Sequence, residues 1–149
     1  MELLFRPQPF YGSGSPNSRV WCLMSNKILI VDDSPAIRRF IRSAIEREAD
    51  WVVCGEAENG KIAVALVGEL RPQLVILDLS MPVMNGLDAA REILKIAPGM
   101  QMIMFTMHGL DGIREEAERV GIKHVFSKEN GFGDGVWDAM REMLVPSAA

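Results

Sequence analysis

Five short apolar runs, each followed by a stretch with helical spacing, constrain the fold of this chain more than any other feature. KILIV (27–31), WVVCGEA (51–57), QLVIL (73–77), QMIMF (101–105) and HVFS (124–127) read as strands. The first helix opens on Ser34-Pro35, an N-cap followed by proline at the first helical position. Ile37, Phe40, Ile41, Ala44 and Ile45 then recur at helical spacing. Further helices are predicted over 61–70, 87–97, 111–120 and 135–144, the last placing Trp137, Met140 and Leu144 in the core. Parallel strands need crossover connections, so the alternation predicts an α/β fold, a doubly wound five-stranded parallel sheet flanked by five helices. Strands that are apolar throughout agree with a sheet covered on both faces.

The 149 residues suffice for one domain. Residues 1–25 stand apart, with three prolines, two glycines, four serines and no sustained periodicity. They are predicted to be a disordered N-terminal leader, with the folded domain over 26–145 and a short tail over 146–149. The leader lacks a basic n-region and its apolar run breaks at Arg6-Pro7, unlike a signal peptide. No stretch approaches the roughly 18 apolar residues of a membrane span. The expected location is cytoplasmic. Sixteen basic against twenty acidic residues give a net charge of −4, which argues against a broad nucleic-acid footprint. Cys22 and Cys54 form no metal-binding or redox spacing, and Cys54 sits in an apolar run as a small core residue.

In open α/β sheets, ligands bind beyond the carboxyl ends of the strands. The first strand ends at Asp32 and Asp33, the third at Asp78, the fourth at Thr106 and the fifth at Lys128. Each has an ordinary explanation on its own: acidic residues open helices, Asp78 and Thr106 suit turns, and lysines are usually solvated. Together, at one rim, they make a reactive set. Three neighbouring carboxylates repel, and a divalent cation removes the conflict. All-oxygen ligands favour Mg²⁺, with Mn²⁺ also suited. An ionised Asp78 can then act as a nucleophile that forms an aspartyl phosphate, with Lys128 and Thr106 contacting phosphoryl oxygens.

The segments ILIVDDSPAIRR, LVILDLSMPVMNG, IMFT and VFSKE resemble the receiver domain of bacterial two-component response regulators, over about Lys27 to Leu144. The resemblance implies the flavodoxin-like receiver fold with strand order 2-1-3-4-5. It implies Asp78 as phospho-acceptor for a histidine kinase or histidine phosphotransfer protein, with Thr106 and Lys128 at the phosphoryl group. It also implies Asp33 as a direct Mg²⁺ ligand, Asp32 acting largely through water, and the backbone carbonyl of Ser80 as a further ligand. The wording around Asp78 is similar to receivers that precede a helix-turn-helix output domain, and the chain ends at Ala149, too soon for one. The expectation is therefore a stand-alone, chemotaxis-receiver-like switch, monomeric or weakly dimeric. It would act by protein–protein contact through the fourth helix, fifth strand and fifth helix, without direct DNA binding, membrane attachment or turnover of an external substrate.

Several positions depart from the family pattern. Glu129 stands where a proline often follows the lysine, which predicts no cis bond there and a differently shaped, more mobile loop over 129–135. The switch aromatic is replaced by Val125, with Phe126 shifted by one residue onto the opposite face. Met107 follows Thr106 where a small residue is common, which would restrict access to the phosphoryl group. Ser80 and His108 flank the site at positions that, by the resemblance, tune loss of that group, although His108 also reads as an ordinary loop histidine. Three other readings stay open. A haloacid-dehalogenase-type hydrolase would carry a second aspartate two residues after the nucleophile, where this chain has Ser80. A flavodoxin-like nucleotide binder would need a phosphate-cradling loop where DDSPA presents two negative charges. The third is a receiver that works as a protein-interaction module without phosphorylation.

Overall fold

The structure, a computed structural model, describes residues 26–48, 50–107 and 111–144. The predicted leader and tail, Cys22 and His108 lie outside the described residues. The elements run β1 (Asn26–Val31), α1 (Pro35–Ile45), β2 (Trp51–Ala57), α2 (Gly60–Leu70), β3 (Leu74–Leu77), α3 (Gly86–Ile96), β4 (Gln101–Thr106), α4 (Ile113–Val120), β5 (His124–Ser127) and α5 (Asp134–Met143). All strand pairs are parallel and the order is β2-β1-β3-β4-β5, as expected.

Period-two alternation sorts the strand side chains into two core layers. Leu29, Val31, Val75, Leu77, Met102, Met104 and Val125 point to one face, against Ala63 and Val67 of α2, Ala89, Ala90 and Ile93 of α3, and Ala117 of α4. Ile28, Ile30, Leu74, Ile76, Ile103 and Phe105 point to the other, against Ile41 and Ile45 of α1 and Val136, Ala139 and Met140 of α5. The first layer is aliphatic and thioether-rich, and the second is aromatic at one corner. There Trp51 stacks on Trp137 at 5.6 Å, and Phe132 meets both Trp137 and Phe105 edge-on at 5.1 and 5.5 Å. Met140 and Leu144 are core, as predicted. Phe40 is not: despite its helical spacing it is 49 % exposed, because Ile41, Ala44 and Ile45 already fill the stripe of α1 that faces the sheet.

Caps set the starts of the helices that leave the functional rim. The Ser34 side chain accepts a hydrogen bond from the Ile37 amide, with Pro35 next to it. Asn59 and Asn85 cap α2 and α3 in the same way, through the Ile62 and Asp88 amides. Among the described residues no helix is long and apolar enough to cross a membrane.

One irregularity interrupts the sheet. Ile28 pairs with Val53 but Leu29 pairs with Gly55, so Cys54 is an extra residue in β2, a bulge. Cys54 is half-buried against the aliphatic layer, and burial pushes its thiol up to about 11. It is a neutral packing residue.

Candidate functional site

The carboxyl ends of β1 and β3 lie side by side, since Val31 pairs with Leu77 and the next residues are Asp32 and Asp78. The Asp32 amide donates to Ala57 O on β2 at 3.0 Å, and the Asp78 amide to Val31 O at 2.9 Å. The sheet ladder thus carries both aspartates to one rim. Asp32 and Asp78 are buried at 2 % and 5 % exposure, whereas Asp33 is exposed. Carboxylate oxygens of all three lie within 4.8 Å of one another, an arrangement that could hold a metal ion.

Lys128 completes this cluster from β5. It begins a single 3-10 turn, Lys128–Asn130, capped by the Ser127 hydroxyl, which accepts from the Glu129 amide at 3.1 Å. Its side chain is nearly buried, and its Nζ stands 2.5 Å from Asp32 Oδ2 and 3.3 Å from Asp78 Oδ1. The other oxygen of Asp32 accepts from the Ser34 amide at 2.9 Å. Burial raises the Asp78 carboxyl to about 6, the charge of Asp32 adds to the rise, and Lys128 and the Leu79 amide oppose it. A buried carboxylate with a like charge beside it accommodates added positive charge readily.

Thr106 is fully buried as the last residue of β4, opposite Ser127 of β5. Ser80 is exposed in the loop between β3 and α3, two residues after Asp78. Met107 is 56 % exposed at the head of the next loop. The structure therefore gathers Asp32, Asp33, Asp78 and Lys128 into direct proximity and sets Thr106 and Ser80 on the same rim.

The β3–α3 loop holds Asp78 in a way the residue pattern did not disclose. Asn85-Gly86 reads as a turn, yet Asn85 is the cap of α3 and Gly86 its first residue. The Gly86 amide donates to Leu79 O at 2.8 Å, and a Cβ on Gly86 would stand 2.2 Å from the carbonyl oxygen of Asp78. Only glycine permits this approach. Within the same loop the Met84 amide bonds Pro82 O at 2.7 Å, which forces Val83 to φ 70°, a strained conformation for a β-branched residue.

Around Lys128, the substitutions in the strand play out as alternation dictates. Val125 is buried in the aliphatic layer, and Phe126 is half-buried in the opposite one, where its ring stacks on His124 at 6.1 Å. No cis peptide occurs among the described residues.

A family model described as the response regulator receiver domain matches residues 28–136. The chain belongs to that family. This receiver is 39 % identical over 105 residues to the chemotaxis protein CheY of Thermotoga maritima, covering 70 % of this chain and 87 % of the relative. It is 38 % identical over 104 residues to the transcriptional regulatory protein YdfI of Bacillus subtilis, again over 70 % of this chain but only 48 % of that protein. Among solved structures, the response regulator domain of Thermotoga maritima CheB superimposes with a TM-score of 0.74 at 29 % identity, over 80 % of this chain and 96 % of that one. Receiver membership decides against the hydrolase and nucleotide-binder readings. A receiver is a signalling module of two-component systems, and in relatives such as CheB it forms one part of a larger protein.

Proposed function

We propose that this receiver accepts a phosphoryl group on Asp78 from a histidine kinase or a histidine phosphotransfer protein and thereby switches its contacts with a downstream protein in the cytoplasm. The observation that carries the reading is the buried Asp78 within reach of both Lys128 and the Asp32–Asp33 pair. The donor set fits Mg²⁺, which is all-oxygen, and three clustered carboxylates with one lysine leave net negative charge for a cation to balance. Asp33, Asp78 and the Ser80 carbonyl would hold the ion. Asp32, its oxygens engaged by Lys128 and the Ser34 amide, would act through water. When bound, Mg²⁺ supplies charge neutralisation at the phosphoryl oxygens.

The chain's own residues do the rest. An Asp78 carboxylate oxygen attacks phosphorus, the bond from phosphorus to the donor breaks, and the donor leaves with that electron pair. Lys128 would exchange a carboxylate partner for a phosphoryl oxygen, and the Thr106 hydroxyl would donate to another. The product carries close to two negative charges where one stood, which biases the surface formed by α4, β5 and α5.

A second reading, an interaction module that signals without phosphorylation, is favoured by one observation. Val125 and Phe126 leave no aromatic on the α4 side of β5 to follow Thr106. One experiment separates the two: incubation with Mg²⁺ and acetyl phosphate, followed by intact-mass spectrometry. The expected result is the gain of one phosphoryl mass, lost in Asp78→Asn. No gain under conditions that label a control receiver would favour the second reading.

A further inference from the structure

Arg38 and Glu56 form a buried-side constellation that the proposed chemistry does not use directly. Arg38 lies on α1 with its side chain 15 % exposed. Its Nε donates to Glu56 Oε1 at 2.8 Å, and its Nη1 donates to the main-chain carbonyl of Asp32 at 2.5 Å. Glu56 is held from the other side by Arg42 Nε, at 2.6 Å to Oε2. Burial works to raise the Glu56 carboxyl, but hydrogen bonds and charge from Arg42 and Arg38 overcome it and hold the group below the usual range.

The bulge in β2 is what brings Glu56 there. Val53 faces the α1–α5 layer, so regular alternation would send Gly55 to that layer and Glu56 into the aliphatic one. The extra residue Cys54 reverses the parity. A Cβ on Gly55 would instead meet Leu70, Leu29 and Leu66, and Glu56 emerges beneath α1. An irregularity that disrupts the ladder thus serves to aim one carboxylate at two arginines.

The carbonyl that Arg38 grips belongs to the peptide joining Asp32 to Asp33. That unit is planar, so fixing its oxygen orients the Cα atoms of both aspartates. We propose that Arg38, locked by Glu56, is a positioning residue for the acidic pocket, presetting the Asp32–Asp33 peptide for a divalent cation. A planar guanidinium can serve a carboxylate and a carbonyl along two fixed directions, which a lysine ammonium cannot match. The inference rests on the Mg²⁺ reading above and extends it to residues that never touch the ion.

The test is Mg²⁺ binding to the unphosphorylated full chain by isothermal titration calorimetry, with melting temperature in metal-free buffer measured alongside. Arg38→Ala is expected to weaken Mg²⁺ binding by on the order of tenfold, the usual scale for residues that orient metal ligands. Arg38→Lys and Glu56→Gln should each weaken it by a smaller factor, and they carry the test if Arg38→Ala does not fold. In acetyl phosphate labelling, the half-saturating Mg²⁺ concentration should rise by the same factor while the rate at saturating Mg²⁺ is recovered. A merely structural tie between α1 and β2 would lower the melting temperature and leave Mg²⁺ affinity in place. Variants that bind Mg²⁺ within about twofold of the parent overturn the proposal. A parent chain that binds no Mg²⁺ defeats the proposed function itself, and this inference with it.

Discussion

The acidic rim and the corner where β5 meets α5 are built on opposite principles. At the rim, the buried aspartates are fixed by directional hydrogen bonds: the Asp32 amide donates to Ala57 O while its carboxylate accepts from the Ser34 amide, and the Asp78 amide donates to Val31 O with Gly86 pressed against the Asp78 carbonyl. At the corner, Phe132, Trp137 and Trp51 are held by ring contacts, and α5 starts at Gly133 without a side-chain cap. Hydrogen-bonded positioning is directional and intolerant of displacement, whereas apolar packing fixes volume more than angle. The difference teaches that the geometry of the acidic rim and the packing of the aromatic corner are separately encoded.

The largest expected effect probes the rim. Gly86→Ala would drive a Cβ into the Asp78 carbonyl, so the main chain must move. Overpacking of this kind should cost about 3 kcal/mol in urea denaturation and slow acetyl phosphate labelling by more than about tenfold. A variant that keeps its labelling rate would break the claim of rigid positioning.

Asp78→Asn tests the electrostatics of the same rim in metal-free buffer. The Asp78 pKa is raised to about 6 in the folded chain from 3.8, so the folded state holds the proton more tightly than the unfolded one. Its favourable contribution is complete below pH 3.8 and is lost as pH rises through about 6. Removing the carboxylate should therefore stabilise the protein by about 2–3 kcal/mol at pH 8 and by little near pH 4. Equal stability changes at the two pH values would contradict the assignment.

At the corner, Phe132→Ala is expected to cost about 2 kcal/mol, less than a fully buried phenylalanine because the side chain is only partly buried. Labelling of Asp78 should stay within about threefold of the parent. A labelling loss as large as that of Gly86→Ala would show that corner and rim are one unit. The smallest effect belongs to Val83, whose positive φ is an unfavourable conformation relieved by glycine. Val83→Gly should raise stability by about 0.5–1 kcal/mol, read from the denaturation midpoint.

Much of the fold was legible because its determinants are local. Periodicity located β2 and β5 to the residue, and Ser34-Pro35 announced α1. Where capping depends on backbone alone the boundary slipped: α4 begins at Ile113 behind Gly112 with φ 77°, two residues later than the charge pattern suggests. The parity of Val125 and Phe126 was readable because a strand alternates strictly. Arg38, Glu56 and Gly86 were not identified. The trace that existed was Gly55 inside a strand pattern, which marks bulges, but a bulge's direction depends on the neighbouring strand.

By itself the sequence determined which residues end each strand, and therefore that Asp32, Asp33, Asp78, Thr106 and Lys128 would meet if the strands lay parallel in the right order. Strand composition and spacing are properties of short segments, and they survive without a tertiary context. Only the tertiary structure decided how the set is held. The pairing of Lys128 with both Asp32 and Asp78, the raised affinity of Asp78 for a proton, and the lock of Arg38 by Glu56 each depend on residues brought together from different elements of the chain. Burial and register create those interactions, and neither exists until the sheet has closed its layers around them.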